Sequence, residues 1–125
     1  MLDPEIEEGN IEYKRHLINI DSDRFEQLST QMKWRLDEGN NEAIYYLGVN
    51  DDGKLYNMTK KEIKETLFNF TKLVINNNAE IIYFNKIISD NITYFKITIR
   101  KKHNIFPEIR VVLLGDTLSG KTTFL

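Results

Sequence analysis

The sequence predicts an α+β module followed by the opening of a second, α/β unit. Three observations carry this. Short runs of β-branched and aromatic residues alternate with two stretches of helical period. A polar stretch, Lys101 to Asn104, followed by Pro107, interrupts that pattern and puts a boundary at 105–107. Beyond it, an apolar run leads directly into a glycine-containing loop.

Residues 1–10 are acidic, contain Pro4 and Gly9, and read as an N-terminal arm with Glu5, Glu7 and Glu8 in solvent. Ile11, Tyr13, Leu17, Ile18 and Ile20 predict a strand over 11–20. Asp21-Ser22-Asp23 offers N-caps, and Phe25, Leu28, Met32 and Leu36 share one helical face. That predicts a helix over 22–38, with Gly39 as the left-handed residue that ends it.

Ala43 to Val49 reads as a strand, Asn50-Asp51-Asp52-Gly53 as a turn and Lys54 to Tyr56 as a short returning strand. Thr59 and Glu62 fit a capping box, and Ile63, Leu67, Phe70 and Val74 mark the helix that follows. Asn76-Asn77-Asn78 ends it. Ala79 to Ile88 is a strand, Ser89-Asp90-Asn91 a turn and Ile92 to Arg100 a strand of strict alternation. In that last strand Phe95, Ile97 and Ile99 face one way, and Tyr94, Lys96, Thr98 and Arg100 the other.

The order is β-α-β-β-α-β-β, whose first six elements match the ferredoxin-like pattern, with one extra strand. The expected organisation is an arm at 1–10, the α+β module at 11–104, a linker at 105–107 and the start of a second domain at 108–125. A chain of 125 residues has room for one domain and part of another. Because it stops just after the loop, it reads as a piece of something longer.

Composition excludes several classes. There is no Cys, so disulfides, a Cys nucleophile and thiolate metal sites are out. His16 and His103 are too few for a His-built zinc site. The net charge of −2 and pI near 5.7 do not advertise a nucleic-acid binder. No apolar run nears the roughly 18 residues of a membrane span. The acidic start is unlike a secretory signal, so a cytoplasmic location is expected.

Gly115-Asp116-Thr117-Leu118-Ser119-Gly120-Lys121-Thr122 matches G-x-x-x-x-G-K-[ST], the P-loop. The glycines let successive N–H groups turn inward into a nest for phosphate oxygens. A helix starting here points its positive end at the same phosphates. Lys121 supplies a charge near the β- and γ-phosphates, and the Thr122 hydroxyl suits Mg²⁺. The strand expected over Ile109–Leu114 feeds the loop, as the mechanism requires. Neither D-x-x-G nor N-K-x-D follows it, so nothing in these residues selects guanine over adenine.

Further residues carry a resemblance. Pro4 to Lys14, Arg24 to Leu28, Thr30 to Leu36, and Glu38-Gly39 with Glu42 to Tyr45 are similar to the N-terminal segment of the eukaryotic GTP-binding protein 1 and 2 family. The resemblance is strong over 4–49, weaker over 50–105, and resumes at 110–125. These are translational GTPases similar to elongation factor 1A. The resemblance implies GTP and Mg²⁺ as ligands and ribosome and tRNA as partners, in elongation-like or mRNA-surveillance work. It implies phosphate and Mg²⁺ roles for Gly115, Gly120, Lys121 and Thr122, with Asp116, Ser119 and Thr123 lining the loop. One departure stands out. Leu118 occupies the place where such GTPases usually carry Asp, which implies slower cation-assisted hydrolysis.

Bland readings compete elsewhere. Trp34 is expected to lie under the arm or a loop rather than to anchor a partner. Lys14, Arg15, Lys33 and Arg35 are read as a solvated face rather than as contacts to ribosomal RNA. The tyrosines at strand spacing are read as core rather than as base-stacking platforms. Two alternatives to the GTPase reading remain: a ferredoxin-like protein-interaction module without nucleotide function, and a P-loop ATPase.

Overall fold

A computed structural model describes residues 2–103. The expected strand at 109–114 and the P-loop at 115–122 lie outside the described residues. The elements are β1 (Ile11–Lys14), α1 (Ser22–Glu38), β2 (Glu42–Leu47), α2 (Lys60–Asn76), β3 (Ala79–Ser89) and β4 (Ile92–Lys101). They form one four-stranded mixed sheet in the order β1-β2-β4-β3. β1 runs parallel to β2, and β4 is antiparallel to both β2 and β3.

Both helices cover one face. Leu28, Met32 and Leu36 of α1 and Phe70, Leu73 and Val74 of α2 meet Ala43, Tyr45, Leu47, Phe95, Ile97 and Ile99 of the sheet in one core. The helix periods read from sequence account for this. Asp21 caps α1 by accepting from the Arg24 N–H at 2.7 Å. The capping box of α2 forms in both directions, Glu62 N–H to Thr59 Oγ1 at 3.1 Å and Thr59 N–H to Glu62 Oε1 at 2.9 Å. Asp90 and Asn91, at φ 52° and 64°, make the tight turn between β3 and β4.

The α+β class therefore holds, and two helices on a four-stranded mixed sheet are compatible with a ferredoxin-like module. Three details differ from expectation. First, the short returning strand expected at 54–56, one of the six elements of the pattern, is reduced to a single bridge between Val49 and Leu55. Strands β1 and β2 consequently follow each other as direct parallel neighbours, whereas a split βαβ has a strand between them.

Second, β1 ends at Lys14 rather than continuing to 20. The chain leaves the sheet because α2 satisfies its backbone instead. Leu17 N–H donates to Thr66 Oγ1 at 3.0 Å, and Leu17 C=O accepts from Asn69 Nδ2 at 2.7 Å.

Third, Gly39 is not the left-handed residue after α1. Its φ is −101°, and Asn40 and Asn41 turn the chain at 59° and 76°. Glycine is needed at 39 for closeness: a Cβ there would collide with the Glu42 carbonyl oxygen and the Asn10 side chain.

Candidate functional site: an arginine clamp and an open sheet face

All residues expected to bind nucleotide, Gly115, Asp116, Ser119, Gly120, Lys121, Thr122 and Thr123, lie outside the described residues. Within those residues, polar chemistry concentrates at two places: under the N-terminal arm and on the uncovered sheet face.

Glu7 and Glu8 of the arm are exposed as expected, but Glu5 is half-buried and the arm is fastened to the module. Leu2 N–H donates to Gly53 C=O at 3.0 Å and Glu5 N–H to Asp51 C=O at 2.7 Å. A Cβ on Gly53, itself at φ +89°, would strike the backbone of Leu2 and Asp3. The turn at 50–53 is therefore a seat for the arm. Tyr13 in β1 holds it twice, donating its hydroxyl to Asp3 C=O at 2.7 Å and its N–H to Glu5 Oε2 at 2.6 Å. The second bond caps an N–H on the outer edge of the sheet, where no strand pairs with β1 among the described residues.

Arg35 is the centre of this arrangement. Expected in solvent, it is only 3% exposed. Its Nε donates to Glu12 Oε1 at 2.7 Å, Nη1 to Gly9 C=O at 2.8 Å and Nη2 to Ile6 C=O at 3.1 Å. One guanidinium thus ties α1, β1 and the arm together, using the fixed fork that only Arg presents. Glu12 is 1% exposed and also pairs with Lys14 at 3.1 Å. Of the four cations read as a solvated face, Arg35 and Lys14 are committed to Glu12. Trp34 is 43% exposed and is not covered as expected; the Arg35 guanidinium carbon lies 4.9 Å from its ring centroid.

Glu5 faces Glu12, Asp51 and Tyr13, with Arg35 Nη2 at 4.0 Å. Burial pushes its carboxyl up from the usual 4.5 to about 7, and the neighbouring Glu12 and Asp51 charges add to this. The docked arm therefore binds a proton that the free arm does not. That contribution is fully present below pH 4.5 and is lost as pH rises through about 7. Glu5→Gln imitates the protonated form. The variant should match the wild type at pH 4 and exceed it by about 1–2 kcal/mol at pH 8. Urea unfolding of both at the two pH values checks this; equal differences at pH 4 and pH 8 would refute it.

His16 behaves differently. Its Nδ1 is buried with no hydrogen-bond partner among the described residues. Burial, helped by Arg15, lowers its pKa. No group of three His, Asp or Glu among the described residues is placed to hold a metal. No helix among them is long and apolar enough to cross a membrane.

The second place is the sheet face opposite the helices. The register lays out its rows across β1, β2, β4 and β3. Tyr13, Tyr46, Lys96 and Asn85 form one row, and Ile11, Ile44, Thr98 and Tyr83 the next. Tyr94 stands beside Ile87, and Arg100 beside Glu42 and Glu80. Tyr13 is buried beneath the arm, but Tyr46 and Tyr94 are half-buried and Tyr83 is 66% exposed. For these three tyrosines the core expectation fails. Period-2 alternation shows which residues share a face but not which face the helices cover.

These features define a helix-backed α+β module joined in sequence to a phosphate-loop signature. No protein-family model matches the chain. It is 40% identical to GTP-binding protein 2 of Mus musculus and of Homo sapiens, over 99% of this chain and 22% of each relative. It is 26% identical to GTP-binding protein 1 of Xenopus laevis, over 87% of this chain and 17% of that protein. The chain belongs to the GTP-binding protein 1/2 family, and it spans about a fifth of the length of these relatives.

Proposed function

We propose that this chain is part of a translational GTPase and supplies its leading module and phosphate-binding loop. The observation that carries the reading is the 40% identity to proteins named GTP-binding protein 2 across 99% of the chain, G-x-x-x-x-G-K-T included. In this reading the backbone N–H groups from Gly115 to Gly120 cradle the phosphates of GTP. Lys121 neutralises the β- and γ-phosphates, and Asp116, Ser119 and Thr123 line the loop. The Thr122 hydroxyl is a hard oxygen donor and suits Mg²⁺, which would neutralise charge on the phosphates. Leu118, without a carboxylate, supports slow intrinsic turnover. Work on the ribosome with tRNA, in the cytoplasm, is the role proposed for the whole protein.

The reading is tested by isothermal titration of GTP with Mg²⁺. The 125-residue chain, with neither D-x-x-G nor N-K-x-D after its loop, should show no micromolar affinity. The complete gene product should bind. Micromolar binding by the 125-residue chain, or none by the complete product, would overturn it.

A further inference from the structure

We propose that the open face of the sheet binds single-stranded nucleic acid, with the strand running along β4. The net charge of the chain argues against this, but its distribution does not. Along β4 the outward side chains are Tyr94, Lys96, Thr98 and Arg100. At the end of the strand, Arg100, Lys101, Lys102 and His103 line a hollow of about 450 Å³. The acidic groups on this side are Glu42, which lines the same hollow and pairs with Arg100 at 2.7 Å, Glu80 beside Arg100, and Asp3 and Glu8 of the arm, which border Ile11 and Tyr13 at the β1 edge. The cations of the stripe are therefore Lys96 at its centre and, past the paired Arg100, Lys101 and Lys102 around the hollow at its end.

The aromatic component flanks this stripe. Tyr46 stands opposite Lys96 on β2, and Tyr83 opposite Thr98 on β3. The Lys96 ammonium lies 6.0 Å from the Tyr46 ring centroid. A base stacked on Tyr46 would bring its phosphate within reach of that ammonium. Neighbouring strands are about 4.8 Å apart and alternate residues about 7 Å, so the rings of Tyr46, Tyr83 and Tyr94 fall within a few nucleotides of one another. Exposing Tyr83 to water gives the fold no packing benefit. Asn85, beside Lys96, adds amide donors and acceptors for base edges.

A cationic track with exposed rings on either side is what unpaired bases require: every base has a face to stack, and the backbone charge is followed rather than read. A duplex hides those faces, and a flat sheet cannot enter its grooves. The inference stands apart from the GTPase reading, since none of these residues belongs to the P-loop.

The test is fluorescence anisotropy of a labelled 12-nucleotide oligouridine RNA titrated with the 125-residue chain. Binding at 50 mM salt is expected, weakening roughly tenfold at 200 mM. Tyr83→Ala, at an exposed position that leaves the fold intact by circular dichroism, should weaken binding about tenfold. Lys96→Gln should flatten the salt dependence. Lys60→Gln with Lys61→Gln, on α2, should change nothing. Absence of binding at 50 mM salt would overturn the proposal. So would equal affinity for a duplex of the same length, or binding indifferent to Tyr83→Ala. A protein that docks on this face and is lost with Tyr83→Ala, with no RNA binding, would assign the surface to protein instead.

Discussion

Arg35→Ala is expected to destabilise the module by about 3–5 kcal/mol, the range for breaking a buried ion pair from one side. The size follows from what remains behind. Glu12 stays 1% exposed, with Lys14 as its remaining cation. The carbonyls of Ile6 and Gly9 lose their donors. The arm loses the clamp that fastens it to α1. For a domain of this size, each kcal/mol shifts Tm by roughly 4–8 °C, so a fall of about 12 °C or more is expected in thermal unfolding. A second variant separates charge from volume. Arg35→Met alone should be nearly as damaging as Arg35→Ala, whereas Arg35→Met with Glu12→Leu should recover much of the loss. If either single variant unfolds within 1 kcal/mol of the wild type in urea, the clamp does not hold the module together.

Local signals made much of the fold legible. Both helices follow from apolar spacing and from caps encoded within four residues of their starts. β4 follows from strict alternation. What stays hidden depends on contacts between distant segments. The early end of β1 is set by Thr66 and Asn69, 49 and 52 residues from Leu17. The lost returning strand belongs to a turn whose Gly53 receives the arm from the other end of the chain. Arg35 left a signal: it stands three residues after Met32 and seven after Leu28, on the buried face of α1, and Glu12 sits inside an apolar strand. A charge at each of those positions is expected to find its opposite. For the nucleotide loop the case is reversed. Its residue types and spacing carry the chemistry by themselves, and they lie beyond the described part of the chain.

The second large effect concerns that loop. In the proposed GTPase, Lys121 places its ammonium where negative charge spreads over the γ-phosphate oxygens during transfer. Removing a preorganised charge from such a site costs on the order of 100-fold in rate or more. Alanine is a strong helix former, so the variant removes the charge without introducing a backbone breaker. Because a slow wild-type rate is proposed on account of Leu118, single-turnover conditions with enzyme in excess suit the comparison. The decisive measurement is release of phosphate from GTP by the complete gene product and by its Lys121→Ala variant. The account predicts Mg²⁺-dependent hydrolysis in the first and a loss of about 100-fold or more in the second. Equal rates in the two proteins, or no GTP binding by either, would contradict it.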